Sequence, residues 1–428
     1  MNLKQPIIIF LFSLSLLLRV PSVLAGGPIL VDTNDTGQAV LWQDGIVHYN
    51  LESGSEATLG TLSNAEAVAL VKELFEDWQN VTLNGVSTTS ITFVEGEPLG
   101  SIDTTNVNSH FTYCPPHKQC PLNQTTPFNR GSAETGESPI LFDADGSMTD
   151  MLEGNGASQS ILGFAGPRVI ESVGGRLYIT EGQAVLNGKF IDGIRNSGNP
   201  ETDINAYKGA IIHELGHFIG LDHTQVNLAS VVKYLSDDTS EKEGIPSMFP
   251  LYVDGQEQLS LHYDDKVAVS SLYPSAAFIS SFCKLEGTVF RLDGTQELQG
   301  VNVVLQDISD PIVETTSAVS GALYAGSSNA CDGNFGDYTL FGLIPGHQYT
   351  LSIEAIRPSF RGGSSIEPCD PPQAGFSAKI LTGVFSCDSE GQVITTGTQD
   401  SPMIVTTKQV TALTTTSGGG CSLIQERF

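Results

Sequence analysis

The sequence is short of basic residues. It has 20 lysines and arginines against 48 aspartates and glutamates, which gives a formal net charge of −28. This argues against a large binding surface for nucleic acid or anionic lipid, because such surfaces need excess positive charge. After residue 25 the sequence has no apolar run long enough to span a bilayer. The hydrophobic fraction of 40 % excludes simple disorder, so 428 residues predict two or three globular domains.

The first 25 residues have the layout of a secretory signal peptide. Lys4 precedes an apolar run over residues 7–18, and Ala25 ends the segment before Gly26. This run is shorter than the roughly 20 residues of a spanning helix, which favours cleavage after Ala25 over an N-terminal anchor. Loss of Lys4 and Arg19 changes the net charge from −28 to −30. We therefore expect a mature chain that is secreted or held at the cell surface.

Cysteines are few, and their number, seven, is odd. Under oxidising conditions at least one thiol stays unpaired. Cys421 follows a Thr/Ser/Gly-rich stretch, and residues 409–428 are expected to form a flexible tail. The run GGGCS at 418–422 resembles the Gly-Gly-Cys surface-sorting signals of bacteria and would then attach the chain to the cell surface. A disordered tail with an incidental thiol is the alternative.

The other cysteines fall into two groups. Cys114 and Cys120 flank a short loop, for which a disulfide is favoured over a metal site with His117 because the chain is expected to be exported. Four more lie in the last third of the chain and allow three disulfide pairings, among which the sequence does not choose: Cys283, Cys331, Cys369 and Cys387.

The chain divides into blocks of different periodicity. Residues 26–200 mix strand-like runs at 46–50 and 90–94 with one amphipathic helix that begins near Ser63. Glu66 falls in the first turn of this helix, where a carboxylate is favourable. The apolar face of the helix recurs every three or four residues: Ala67, Leu70, Val71, Leu74, Phe75 and Trp78. This spacing predicts a helix that packs on a core.

The block that begins at Cys283 lacks a helical period. Short apolar or alternating runs at 287–290, 301–305, 338–341 and 349–353 are separated by turn residues, which predicts a small all-β sandwich over residues 279–408. Residues 336–349, GDYTLFGLIPGHQY, resemble part of the carboxypeptidase-regulatory-like domain. That resemblance implies a structural or adhesive role for this block.

The chemistry of the sequence is concentrated in residues 213–223, HELGHFIGLDH. On a helix His213 and His217 lie one turn apart and present their imidazoles to one point. Gly220 can adopt the left-handed conformation that ends the helix, after which His223 returns as a third ligand. Three neutral nitrogens and a water form the open arrangement of a catalytic zinc ion. Chance would produce this pattern about 0.00002 times in a chain of this composition.

These eleven residues resemble the signature of the metzincin metallopeptidases. The run IPSMFP at 245–250 resembles the Met-turn of that family, and residues 259–274 resemble the closing helix of its matrixin branch. The resemblance implies an α/β (α+β) catalytic domain over residues 26–278, with a twisted mixed sheet above the active-site helix. The sequence differs from matrixins at Thr224, where serine is common. It also shows neither the cysteine-switch propeptide nor the upstream histidine pattern of a structural zinc site.

The predicted function is that of an exported zinc endopeptidase acting on proteins or peptides. Glu214 would take a proton from water as the water attacks a peptide carbonyl, and Met248 would form an apolar floor below the zinc. The alternative is a surface adhesion or matrix-binding protein that keeps an idle metzincin scaffold. A ligand role for Tyr252, four residues after Met248, is disfavoured.

A calcium site is a weaker hypothesis. Asp143, Asp145 and Asp150 place oxygens as a calcium loop would, but the spacing does not match an EF-hand. A tight Asp-Gly turn at Gly146 is the favoured explanation. Asp32, Asn34 and Asp35 are similarly ambiguous.

Overall fold

A computed structural model describes residues 26–32, 38–110, 136–194, 201–236, 243–290, 297–322 and 335–356, with short strands at 379–380, 384–387, 393–396 and 423–424. Helices within these residues are α1 (Asn64–Gln79), α2 (Val107–His110), α3 (Ser147–Glu153), α4 (Ile204–Phe218), α5 (Leu228–Ser236), α6 (Tyr263–Leu272) and α7 (Ala276–Ser281). None of the helices in this part of the chain is long and apolar enough to cross a membrane.

Strands form two separate regions. The first contains β1 (Leu41–Trp42), β2 (Ile46–Leu51), β3 (Thr82–Leu83), β4 (Val86–Ser87), β5 (Thr92–Glu95), β6 (Pro139–Asp143), β7 (Ile161–Val173) and β8 (Arg176–Asn187). The second contains β9 (Cys283–Thr288), β10 (Val301–Asp307), β11 (Thr315–Val319), β12 (Asp337–Leu343), β13 (Gln348–Ala355), β14 (Lys379–Ile380), β15 (Val384–Cys387) and β16 (Val393–Thr396). A last strand, β17 (Leu423–Ile424), returns to the first region.

The first region, residues 26–281, is a mixed α/β unit. Its main sheet has the order β17-β7-β8-β6-β2-β5, in which β8, β6, β2 and β5 are parallel and β7 is antiparallel to β8. Helices α1 and α4 share one apolar core with this sheet. The predicted mixed sheet is therefore present.

Helix α1 follows the sequence pattern closely. Ser63 caps it through a capping box, in which the Ser63 amide donates to Glu66 Oε2 at 2.9 Å. Its buried residues are the six that the spacing predicts: Ala67, Leu70, Val71, Leu74, Phe75 and Trp78. At the inner end of this face the Trp78 indole donates to the Ile212 carbonyl at 3.0 Å, which ties α1 to α4.

The second region, residues 283–396, is hereafter the β-module. It consists of a sheet with the order β11-β10-β13-β15-β16 and a separate antiparallel pair, β12-β9. Side chains from β9, β10, β12 and β13 build one shared apolar core. Helix α7 runs across residue 278, the predicted domain boundary, and β9 begins directly after Phe282.

The β-module packs on the α/β unit through specific polar contacts. The Ser317 amide donates to Asp264 Oδ1 at 2.9 Å, and the Tyr263 hydroxyl donates to the Gly342 carbonyl. The Asn227 side chain donates to the Ile312 carbonyl at 2.9 Å. These contacts join strands β11 and β12 to helix α6, and the β10–β11 turn to the loop that follows the histidines.

The expected flexible tail is partly ordered in strand β17. Leu423 pairs with Gly163 and Ile424 with Ile161, both antiparallel to β7. The rest of residues 409–428, with Cys421, lies outside the described residues. So do Cys114, Cys120 and His117, as well as Cys331 and Cys369, so the disulfide pairings stay predictions.

Candidate metal centre

Three imidazoles meet at the end of helix α4. His213 and His217 lie one turn apart on α4, and His223 follows on the next loop. Their Nε2 atoms are 3.0 Å apart in each of the three pairs. All three side chains are fully buried. The structure thus brings together the three residues that the spacing predicts as ligands.

The loop after α4 explains how His223 returns. Helix α4 ends at Phe218, and Gly220 has φ +98°, a conformation that side chains other than glycine rarely adopt. Leu221 then donates its amide to the Gly216 carbonyl at 2.9 Å. Residues 26–29 line this loop, with hydrogen bonds from Asp222 to Gly27 and from Ile29 to Gly220, both at 2.8 Å. The third ligand is therefore held by backbone contacts on both sides.

Backbone carbonyls orient two of the rings. His213 Nδ1 lies 2.6 Å from the Ser247 carbonyl oxygen, and His217 Nδ1 lies 2.8 Å from that of Leu221. A carbonyl only accepts, so each Nδ1 carries the proton and each Nε2 presents a lone pair. Burial lowers the pKa of His217 to about 4 and that of His213 well below its usual value, so both rings are neutral.

This arrangement fits a zinc ion on chemical grounds. Lone pairs that face one another at 3.0 Å in a dry site repel unless a cation lies between them. A tetrahedral ion with bonds of about 2.0–2.1 Å to nitrogen separates its ligands by about 3.3 Å, close to the observed spacing. Carbonyl partners for Nδ1 are also the usual outer contacts of metal-binding histidines. The three histidines could therefore hold the ion while leaving a fourth position open.

Glu214 lies beside the cluster and faces the sheet. Its side chain is buried against Gly163 of β7, where a β-carbon would stand 2.9 Å from Glu214 Cγ. Consecutive residues of a helix point about 100° apart around its axis, so the Glu214 side chain is directed away from that of His213 and toward β7. Strand β17 pairs with β7 at Gly163, so the C-terminal segment covers the edge next to Glu214. The sequence contained no signal for Gly163, one of 45 glycines.

The segment 245–250 forms the floor of the site. Met248 is buried, and a β-carbon on Gly216 of α4 would stand 2.3 Å from Met248 Sδ. Asp265 of α6 holds this turn by accepting the amides of Ser247 at 2.8 Å and Met248 at 3.0 Å. The acidic pair at 264–265 was visible in the sequence, but its spacing alone did not reveal this contact.

Two weaker hypotheses from the sequence concern Tyr252 and the aspartates of residues 143–150. Tyr252 lies with its hydroxyl against Gly255, and the charges that act on it are Asp254 and Asp203, at the start of α4. Asp203 is ten residues before His213, about 15 Å along the helix. The contacts shown for Tyr252 thus lie toward the start of α4, and its disfavoured ligand role stays a prediction.

The carboxylates of the hypothetical calcium loop are occupied by backbone amides. Asp143 accepts from Met148 and Thr149, at 3.1 and 2.7 Å. Asp145 accepts from Ser147 at 2.9 Å, and Asp150 Oδ1 accepts the amides that follow α3. Gly146 has φ +83°, in the left-handed region. These contacts agree with the tight Asp-Gly turn, and no group of potential metal ligands among the described residues includes these aspartates.

Comparison of the chain with protein-family models, with curated proteins and with solved structures finds no match in any of the three.

Proposed function

We propose that this protein is a zinc-dependent endopeptidase of the matrixin-like metzincin type. The observation that carries the proposal is the convergence of the Nε2 atoms of His213, His217 and His223, 3.0 Å apart, with Glu214 next to His213 on the same helix. A structural zinc site would be closed by a fourth protein ligand, whereas three histidines leave a position for water and substrate. The resemblance of residues 213–223 and 245–250 to the metzincin pattern agrees with this chemistry.

The mechanism assigns separate tasks to the ligands and to Glu214. Zinc, when bound, polarises a peptide carbonyl and lowers the pKa of a coordinated water to about 7. His213 and His217 keep their Nε2 atoms on the ion by donating Nδ1–H to Ser247 and Leu221. Glu214 accepts the proton of the attacking water and returns it to the leaving amine as the C–N bond breaks. Water therefore supplies both the new carboxyl oxygen and the proton on the amine.

The competing function is adhesion or matrix binding by an idle scaffold. The histidines alone suffice to hold zinc, so a scaffold has no use for the buried carboxylate of Glu214 against Gly163. This placement favours the enzyme. Residues 336–349 of the β-module resemble part of a carboxypeptidase-regulatory-like domain, so the β-module would then serve a structural or adhesive role beside the peptidase.

Export and surface attachment complete the proposal. The layout of residues 1–25 supports secretion, and the Gly-Gly-Cys run around Cys421 supports attachment at the cell surface. The excess of acidic residues argues against nucleic acid as a partner, so the expected partners are protein or peptide substrates.

Metal content and cleavage of an unfolded protein test the proposal together. The purified chain should contain zinc in the histidine cluster and should cut unfolded casein or a random peptide library. A chelator should abolish cleavage, and added zinc should restore it. The variant His213→Gln should lose both zinc from this cluster and cleavage. Stable zinc binding without cleavage of any library peptide would support the scaffold function instead.

A further inference from the structure

A second group of potential ligands lies in the β-module, remote in sequence from the histidine cluster. Asp307 ends strand β10, Glu314 precedes β11, and His347 lies in the turn before β13. His347 Nδ1 is 2.7 Å from Asp307 Oδ2 and 3.1 Å from Glu314 Oε2. The three potential ligand atoms all lie within 4.8 Å of one another. One imidazole and two carboxylates therefore converge on a single point.

The backbone and local hydrogen bonds fix this geometry in advance. Asp307 donates its amide to the Glu314 carbonyl at 2.9 Å, which closes the β10–β11 turn. The other carboxylate oxygen of Asp307, Oδ1, accepts the Ser309 amide at 2.6 Å and the Ser309 hydroxyl. Asp307 is only 1 % exposed, so its Oδ2 atom has a fixed direction toward His347. Such preorganisation of ligand oxygens is typical of binding sites.

Among the described residues, His347 is the only cationic partner that the structure shows for the carboxylates at this point. The charged groups that act on Glu314 are His347, Asp307 and a third carboxylate, Asp310. Among the described side chains, the ion pairs of Asp307 and Glu314 involve His347 alone. Even a protonated imidazole would leave two of the three negative charges uncompensated. In addition, one Nδ1–H cannot donate a full hydrogen bond to both carboxylates.

A divalent cation would be bound by the imidazole and both carboxylates at once. Imidazole nitrogen with carboxylate oxygen is a donor set of zinc and other first-row divalent ions, whereas calcium prefers oxygen ligands alone. The separation of 3.1 Å between His347 and Glu314 is near the ligand spacing of about 3.3 Å around a tetrahedral ion. The separation of 2.7 Å between His347 and Asp307 is that of a hydrogen bond and would lengthen by about 0.6 Å when the ion binds. The side chains of Glu314 and His347 are 28 % and 36 % exposed, so water can reach the ion and fill its remaining positions.

We propose that Asp307, Glu314 and His347 form a second metal site, which binds a divalent first-row ion such as Zn²⁺. This site is independent of the peptidase function proposed above. The ion clamps the β10–β11 turn to the turn before β13. Ile312 in the clamped turn packs on Gly244 and accepts a hydrogen bond from Asn227, so the ion also stiffens one contact between the β-module and the α/β unit.

Zinc stoichiometry of the full chain tests this site. The protein is stripped with a chelator, incubated with zinc, passed through a desalting column and measured by plasma emission spectrometry. We expect two zinc ions per wild-type chain, one in His347→Ala and one in His213→Gln. His110→Ala is the matched control, because His110 also pairs with a carboxylate, Glu137, at 3.1 Å but belongs to no such group among the described residues. It should retain two ions.

Hydrogen exchange provides a readout that does not depend on counting ions or on proteolysis. Zinc should slow amide exchange over residues 307–315 in wild type and in His213→Gln, but not in His347→Ala. Glu314→Gln preserves the shape of the side chain and should also lose this protection. It replaces His347→Ala in the test if His347→Ala does not fold. Equal zinc contents in wild type and in a folded His347→Ala variant, or no zinc in a folded His213→Gln variant, would overturn the proposal. The group would then be an ion pair only.

Discussion

Gly216 and Met248 touch where helix α4 crosses the segment 245–250. A β-carbon on Gly216 would stand 2.3 Å from Met248 Sδ and 3.0 Å from the Trp78 ring. The helix that carries two histidines and the turn below them are therefore in contact without room for one methyl group. In such a site an added carbon has to displace either the floor or the helix.

We expect Gly216→Ala to loosen the metal centre. The clash with Met248 should lower the free energy of unfolding by about 1–3 kcal/mol and weaken zinc binding by moving His213 and His217. Urea unfolding and competition with a chromogenic chelator measure the two effects. Gly100→Ala is the control, because nothing lies within 4 Å of the added carbon there. Unchanged zinc affinity in Gly216→Ala would argue against a tightly packed floor.

Met248→Leu should affect stability more than chemistry. Met248 is buried with its sulfur against Gly216 of α4, while its backbone carbonyl accepts the Thr224 amide at 2.9 Å. Leucine preserves that backbone contact and fills a similar volume, so the expected loss is below about 1.5 kcal/mol. Denaturant unfolding and kcat/KM of peptide cleavage test this. A large fall in turnover with unchanged stability would mean that the sulfur has a chemical role.

Glu214→Gln should separate metal binding from catalysis. Glutamine has the same shape but cannot take up a proton at neutral pH, so cleavage should fall by about 10²–10⁴-fold. Zinc content should remain that of wild type, because Glu214 is not one of the proposed ligands. The exposed Glu73→Gln serves as the control for the loss of one negative charge. Full activity in Glu214→Gln would remove the assignment of Glu214 as the base.

Glu52 should make stability depend on pH. Burial raises its pKa from 4.5 to about 7, although its oxygens accept the Ile102 and Phe142 amides at 2.8 Å. Between pH 4.5 and about pH 7, Glu52 is therefore protonated in the folded chain and ionised in the unfolded chain. The resulting stabilisation is complete below pH 4.5 and is lost as the pH rises through 7.

In Glu52→Gln this contribution is absent, so the decline in unfolding free energy from pH 5 to pH 8 should be smaller by about 2 kcal/mol. Urea unfolding at several pH values measures the two slopes. Asp264, whose pKa burial also raises to about 7, is present in both proteins, so the difference between the slopes reports on Glu52. Parallel curves would show that Glu52 does not titrate in this range.

Removal of residues 409–428 should increase cleavage of peptides. Strand β17 pairs with β7 at Gly163, next to Glu214, and an extended substrate that adds to this edge has to displace it. A chain ending at Lys408 should therefore show a several-fold higher kcat/KM. Amides at 161–163 should exchange faster in the shortened chain, with or without zinc. Cys421→Ser keeps strand β17 and should have the same kcat/KM as the full chain. If Cys421→Ser raised kcat/KM as much as the truncation does, the increase would be due to loss of the thiol rather than of the strand.

The parts of this molecule that depend on local spacing were predictable. Three features follow from residues that lie within one or two helical turns of each other in the sequence. They are the buried face of α1, the position of His213 and His217 on one side of a helix, and the turn at Gly220. Three other features were not predictable. They are the contact of Gly163 with Glu214, the hydrogen bonds from the Met248 turn to Asp265, and the pairing of β17 with the sheet. Each of these joins residues distant in the chain, and local periodicity does not identify such partners.

One hydroxyl connects three distant parts of the α/β unit. The Tyr273 hydroxyl, just after α6, donates to the Ile219 carbonyl at 2.6 Å and accepts the Trp42 amide at 3.3 Å, across 231 residues. Contacts of such separation form only after a long loop closes. During synthesis, a nascent chain that stops short of residue 273 thus has all three histidines but lacks the tether on the turn that aligns them. We therefore expect the histidine cluster to assemble only after residue 273 has been synthesised.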